Sequence, residues 1–248
     1  MKSSVRSIGL PEYFVRPTFL PSQPLLISIA NSTKKGCNRY YRLLRKRITL
    51  QTNMSARQDK WHTELGCIMG ADFWNAAYKL NSEIMFDNKS KWLQYQITRN
   101  SLYTNYKVNK FNNQISPYCN FCTKENTVVK SIELVSHLFV QCAEVKRLWE
   151  EVITWLGSLG VILAFDTKIL LFGYHEQPFD SVLNFIILCV KSFIWKSKHA
   201  EQNLNCIAFK KYLYFKLFDL KNAYLHKGII HDFVKWNSIF DNLCTLQE

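Results

Sequence analysis

Cys119, Cys122, His137 and Cys142 spell C-x2-C-x14-H-x4-C, and these residue types at this spacing are what a tetrahedral zinc ion requires of a chain. A two-residue gap lets one tight turn aim two thiols at a single point. A histidine five positions before a cysteine supplies two more donors about one helical turn apart. Three thiolates and one imidazole close the tetrahedron and leave no position for water or substrate, so the implied chemistry is structural. Asn120 tolerates the turn backbone, and Tyr118 and Phe121 can shield the sulfurs. The long gap before His137 raises loop-closure cost by only ~1 kcal/mol over a short one. Structural zinc contributes ~10–16 kcal/mol against it. Cys37, Cys67, Cys189, Cys206 and Cys244 read as unligated, and His62, His175, His199, His226 and His231 show no convergent spacing.

Helices must position these four residues. After an irregular stretch over residues 1–36 comes a dense basic run, Arg39 to Arg47, with helical potential. Ser55 is placed to N-cap a helix through Leu65 that Gly66 ends, and a second helix carries Phe73, Trp74, Ala77, Tyr78 and Leu80. Trp92, Tyr95, Arg99, Tyr103 and Tyr106 recur at steps of three and four, one helical face, although the alternation from Trp92 to Ile97 also suits a strand. That aromatic stripe reads as core. Beyond Cys142, Val145, Leu148, Trp149, Val152, Ile153 and Leu156 share one side of a helix that Gly157 ends. Helices are expected over Phe179–Lys198, Leu204–His226 (closed by Gly228) and Asp232–Leu243, with a small strand pair at the metal cluster. The expected fold is mostly α: a helical bundle with a small CCHC zinc knuckle inserted between helices. Its segments are a basic, partly disordered 1–54, a helical 55–114, the knuckle with its following helix over 115–157, and a helical 158–248.

Charge is distributed unevenly. The chain of 248 residues carries a net +13, of which residues 1–60 supply +10, with 12 basic against 2 acidic side chains. Such a surplus attracts polyanions. Arg39, Arg42, Arg45, Lys46 and Arg47, interleaved with Tyr40 and Tyr41, form one candidate nucleic-acid surface; Lys107, Lys110, Lys124 and Lys130 around the knuckle form a second. Lys210, Lys211, Lys216 and Lys221 read as the wet face of a late helix. The N-terminus shows no export signal, and the longest candidate span, the uncharged Val152 to Phe165, is too short to cross a bilayer. The expected setting is therefore intracellular, in the nucleus, the cytoplasm or both, where reduced thiols serve metal better than disulfides.

Catalytic signatures are absent. There is no Walker or dinucleotide-binding glycine pattern, Gly157-Ser158-Leu159-Gly160 lacks nucleophile-elbow spacing, and Glu150-Glu151 are adjacent on a helix and face apart.

The run Ser116-Pro117-Tyr118-Cys119-Asn120-Phe121-Cys122, then Glu133-Leu134-Val135-Ser136-His137-Leu138-Phe139-Val140-Gln141-Cys142, then Val145-Lys146-Arg147-Leu148-Trp149, resembles the C-terminal zinc-binding region of non-LTR (LINE-type) retrotransposon reverse-transcriptase polyproteins. That family shows a C-x-x-C turn, an acidic residue four before the histidine, an aromatic after His-Leu, and a tryptophan in the next helix. Lys60-Trp61, Glu64-Leu65-Gly66 and Lys91 to Ile97 look like the family segment after the polymerase thumb. Phe193-Ile194-Trp195-Lys196 and Ile207-Ala208-Phe209-Lys210 look like its post-knuckle tail, so the likeness covers about residues 55–241. The polymerase's paired aspartates are missing, since no Asp-Asp dipeptide occurs, and there is no room for the endonuclease domain. The resemblance thus implies a non-enzymatic fragment that holds Zn2+ and binds RNA or single-stranded DNA. An alternative of another class is a scaffold module that docks a protein, such as a reverse-transcriptase body in trans, through apolar helices such as Phe179–Lys198. A transposon relic without selected role is a third reading.

Overall fold

The computed structural model describes residues 51–83, 87–123, 130–174 and 181–245. Arg39, Arg42, Arg45, Lys46, Arg47 and Lys124 lie outside them. The helices are α1 (Gln51–Leu65), α2 (Ala71–Glu83), α3 (Asn88–Thr98), α4 (Asn105–Asn109), α5 (Asn120–Thr123), α6 (Ala143–Ser158), α7 (Thr167–Phe172), α8 (Ser181–His199), α9 (Cys206–His226) and α10 (Asn237–Thr245). A π-helical turn covers His137–Gln141 and a 3-10 segment covers Ile230–Trp236. The protein is mostly helical, and the described residues contain no strand; the expected strand pair shrinks to one antiparallel bridge between Tyr118 and Ile132.

Short polar side chains start three of these helices by accepting otherwise unsatisfied amide N–H groups. Asp87 accepts from Lys89 ahead of α3, Asp166 from Lys168 and Ile169 ahead of α7, and Asn205 from Ile207 and Ala208 ahead of α9. Several boundaries differ from expectation: α9 starts at Cys206 and not at Leu204, and the last helix starts at Asn237 and not at Asp232, the 3-10 segment taking the place of its first turn. Helix α1 already starts at Gln51, which puts Ser55 inside it, and α6 runs through Gly157 to Ser158. No described helix is long and apolar enough to cross a membrane.

Helix α3 corrects the aromatic stripe. It is helical, as one of the two readings held, but it ends at Thr98, where Asn100 turns the chain with φ +45°. Tyr103 and Tyr106 therefore leave its axis. The buried face is Ser90, Leu93, Gln94, Ile97 and Thr98, whereas Trp92 is 59% and Tyr103 62% exposed. Polar residues occupy this inner face because each finds a partner there. Trp61 Nε1–H donates to the Thr98 carbonyl at 3.0 Å, and Ser192 Oγ–H donates to Ser90 Oγ at 3.1 Å. Gln94 receives the ammonium of Lys191, which also donates to the Leu171 carbonyl at 2.8 Å. Desolvation pushes Lys191 down to about 7, and its hydrogen bonds offset the burial of a polar group without a carboxylate.

Helix α8 is the central element, with every residue from Leu183 to Ile194 buried. Helix α9 turns back along it through Phe193, which meets Phe209 at 5.7 Å, and α10 closes the far side through Phe240 against Tyr214 at 5.6 Å. At the other end, Phe172 of α7 takes edge-on contacts from Trp61 and Trp74 at 5.1 and 5.4 Å. One apolar core runs continuously from Trp61 to Leu243. The expectation that α8 offers a docking face is therefore corrected, because its apolar residues are consumed by this core.

Between α7 and α8, Gly173 has φ +87°, a conformation that disfavours any side chain, and a Cβ there would meet the side chains of Leu80 and Asn184. Asn184 is not free to yield, since its Oδ1 accepts the Tyr174 N–H at 2.7 Å. Gly173→Ala is expected to cost about 3 kcal/mol from backbone strain and overpacking, lowering the melting temperature by about 10 °C. Thermal denaturation followed by far-ultraviolet circular dichroism checks this.

Candidate metal centre

The first two thiols are set by a clamped pair of chain arms. Cys119 N–H donates to the Ser131 carbonyl and Glu133 N–H to the Pro117 carbonyl, both at 3.0 Å, flanking the Tyr118–Ile132 bridge. The chain then enters the single turn α5, and Cys122 returns beside Cys119.

The other two donors are spaced by the π-helical turn. Five residues overshoot an α-helical turn, so His137 and Cys142 would diverge on a regular helix. The wider turn closes with an i to i+5 hydrogen bond, Cys142 N–H to the His137 carbonyl at 2.8 Å. Cys142 itself is extended (φ −61°, ψ 134°) and is the N-cap of α6, so its side chain sits at the positive end of a helix of 16 residues. The expected helical turn is thus a π turn followed by a cap.

The four donor atoms lie within 4.8 Å of one another, and such a Cys3His group can hold a metal ion. Cys119 Sγ is 3.8 Å and Cys122 Sγ 3.5 Å from Cys142 Sγ, and Cys122 Sγ is 3.4 Å from His137 Nε2. Cys119 and Cys142 are fully buried and His137 nearly so. Three thiols this close cannot ionise independently. The hydrogen bond shared with Cys142 pulls Cys119 down to about 4 and pushes Cys142 up, and burial pushes Cys122 up. A divalent cation removes that conflict by stabilising every thiolate at once. The amide N–H groups of Cys122, Ala143 and Val145 act in the same direction on the sulfurs of Cys119, Cys122 and Cys142.

Helices remote in sequence hold the donors in place. Trp149 Nε1–H of α6 donates to the Phe139 carbonyl at 2.8 Å, which ties α6 to the π turn. Glu64 of α1 accepts the Ser136 N–H at 2.8 Å at the start of that turn and the Asn100 side-chain amide at 2.8 Å. Glu133 is fully buried; it pairs with the buried Lys198 of α8 and accepts the Asn105 N–H at 2.7 Å. Burial raises the Glu133 carboxyl above its ordinary range even though Lys198 acts to lower it. Asn105 also donates to the Tyr118 carbonyl at 2.8 Å, bracing the arm that carries Cys119.

Three of the lysines expected around the cluster can be placed. Lys110 and Lys130 are exposed, lying over the rings of Tyr106 at 4.4 Å and Tyr118 at 6.0 Å. Lys107 is half-buried and donates to the Asn100 carbonyl and, at 2.8 Å, to its Oδ1; desolvation lowers it to about 8. Its ammonium ties down the turn after α3 and is not displayed to solvent like the other two. On α9, Lys216 pairs with Asp87 at 2.7 Å, and Lys210 and Lys221 lie over Trp155 and Phe240, so the expected wet face is largely engaged. Sequence reasoning missed Lys198 altogether and saw Glu133 only as an acidic position before His137. No protein-family model and no curated protein matches this chain.

Lys198→Met would leave Glu133 buried beside no cation, at a cost of about 3–5 kcal/mol. Because the folded carboxyl is already raised above 4.5, its ionised form opposes folding above that pH, and the opposition vanishes once it is protonated. The variant's deficit relative to the unmodified chain is thus largest at neutral pH and shrinks as pH falls toward 4.5. Urea denaturation of both proteins over this range measures it.

Proposed function

We propose that this chain is a zinc-stabilised module that binds RNA or single-stranded DNA without catalysing a reaction of its own, akin to the C-terminal region of LINE-type reverse-transcriptase polyproteins. The observation that carries the reading is the spacing of the four donor atoms. Zinc bound tetrahedrally, at ~2.3 Å from sulfur and ~2.0–2.1 Å from nitrogen, separates sulfurs by about 3.8 Å and sulfur from nitrogen by about 3.6 Å. The separations of 3.8, 3.5 and 3.4 Å between these side chains fit that geometry. Thiolate-rich, tetrahedral surroundings favour zinc over magnesium or calcium, which take oxygen donors. With all four positions filled by protein, the ion acts structurally, fixing the turn of Cys122 and the start of α6.

The nucleic-acid part of the proposal rests on charge. Lys110 and Lys130 are exposed, Lys130 over the ring of Tyr118 next to Cys119, and Lys124 together with Arg39, Arg42, Arg45, Lys46 and Arg47 supplies further positive charge in sequence. Phosphate contacts of this kind give affinity without sequence selection. One observation favours the second reading, a protein-docking role. Ile207, Phe215, Phe218 and Leu225 of α9 are 66, 61, 45 and 52% exposed along one side of that helix.

Elemental analysis of the purified chain is expected to find one zinc per molecule, and a chelator is expected to lower its melting temperature and its affinity for single-stranded RNA together. The affinity should also fall steeply between low and moderate salt, whereas docking through the α9 face should not. Unchanged folding and RNA affinity in Cys142→Ser would sink the mechanism.

A further inference from the structure

A second feature owes nothing to the metal site. Helices α3, α8 and α9 line an open cleft of about 540 Å3 that displays Lys89, Lys196 and Lys216 and Trp92, Trp195 and Tyr212. Its volume is that of a small-ligand site. Among the described residues lining it, Asp87 is the one carboxylate, and it is engaged by Lys216 at 2.7 Å. The cleft thus holds a surplus of two positive charges, on Lys89 and Lys196, both on exposed residues. Lys196 sits over the Tyr212 ring at 4.7 Å, with Lys216 over the same ring at 5.8 Å. Burial lowers the pKa of Lys196, and the neighbouring Lys216 and Lys89 lower it further against the opposing pull of Asp87. Such crowding of like charge is relieved by an anion.

The aromatic groups say which anion. Trp92 is 59% exposed, an unusual placement for an indole with no core to fill. It is stacked on Tyr95 at 5.2 Å with the planes 17° apart, and Arg99 covers Tyr95 at 4.6 Å. An ordered column of Arg99, Tyr95 and Trp92 thus runs along the outer side of α3 and ends at the cleft. A carboxylate or bare phosphate has no use for a stacking surface, whereas a nucleotide uses both halves of the site.

We infer that the cleft between α3, α8 and α9 is a nucleotide-binding site, in which an unpaired base stacks on Trp92 and its phosphate is held by Lys89 and Lys196. The shared chemistry is an aromatic base bearing a phosphate, supplied by a single strand or by a free nucleotide. The inference goes beyond the metal-centred reading and stands without it, since no lining residue is a metal donor or touches one.

The test uses the full chain and tryptophan emission. The probes are oligouridylate and oligodeoxythymidylate single strands, adenosine and uridine monophosphate, inorganic phosphate, and polyglutamate as a non-nucleotide polyanion. A strand or a monophosphate is expected to quench emission. Trp92→Ala is expected to weaken that ligand about tenfold, as the loss of one stacked base does. The pair Lys89→Ala with Lys196→Ala is expected to weaken it comparably and to flatten its salt dependence. Trp92→Ala removes an exposed ring and Lys196→Ala relieves repulsion, so neither should lower the melting temperature. Saturation by a monophosphate identifies the free nucleotide as the source, and quenching by strands alone identifies the strand. The inference is overturned if no nucleotide probe quenches emission, if polyglutamate or inorganic phosphate matches the nucleotides, or if the cleft variants bind within about twofold of the parent. Loss of strand binding only in Lys110→Ala with Lys130→Ala would overturn it while leaving the proposed function intact.

Discussion

Three sulfur atoms and an imidazole nitrogen within 4.8 Å of one another form an electrostatic conflict that the surrounding chain is built to contain. Thiolates repel at that distance, and burial of Cys119 and Cys142 denies them water. The remedies come from backbone: the amide groups of Cys122, Ala143 and Val145 and the positive end of α6. Amide dipoles can temper negative charge but cannot neutralise it, and a divalent cation does so directly. Glu64, Trp149 and the Glu133–Lys198 pair all fix chain segments that carry the four donors. Each comes from a different helix, so the local centre is wired into α1, α6 and α8 simultaneously.

The donor set was legible because metal coordination demands particular residue types at short spacings, and Cys119, Cys122, His137 and Cys142 leave few alternatives. Most helices were legible for a similar reason: period and caps are local properties, and α8 and α9 end within a residue of expectation, whereas the first turn expected of α10 is 3-10. Face assignment on α3 was not legible. Trp92, Tyr95, Tyr103 and Tyr106 recur at helical steps and look like core, yet the buried side carries Ser90, Gln94 and Thr98. Ser90 and Gln94 are stable inside because Ser192, Lys191 and the Leu171 carbonyl, remote in sequence, arrive to bond them, whereas the Thr98 hydroxyl donates within its own helix to the Gln94 carbonyl. Lys107 misleads in the same way, since a lysine near a candidate phosphate site looks available until the turn at Asn100 claims it. Lys198 gave no signal at all, because a cation in the last turn of a helix is ordinary, and only the tertiary fold brings Glu133 to it.

Buried polar groups recur across the molecule, and they share a logic. Lys191 and Lys198 lie on the same helix, α8, and each reaches a different neighbour: one Gln94 and the end of α7, the other Glu133. A helix buried on every side from Leu183 to Ile194 could slide or rotate against an apolar surround with little penalty. Two embedded ammonium groups with single acceptable addresses fix its rotation and its height. The price is low stability per buried atom in exchange for one arrangement.

The π turn carries a consequence for chain length. Its i to i+5 closure between His137 and Cys142 accommodates four intervening residues. Removing one would allow the tighter α-helical closure and rotate the start of α6 by about 100°, one residue's step around a helix. Cys142 and Trp149 would swing away together, since both ride on that helix. The segment therefore works as a ruler in which composition is negotiable and residue count is not, the reverse of an ordinary surface connection.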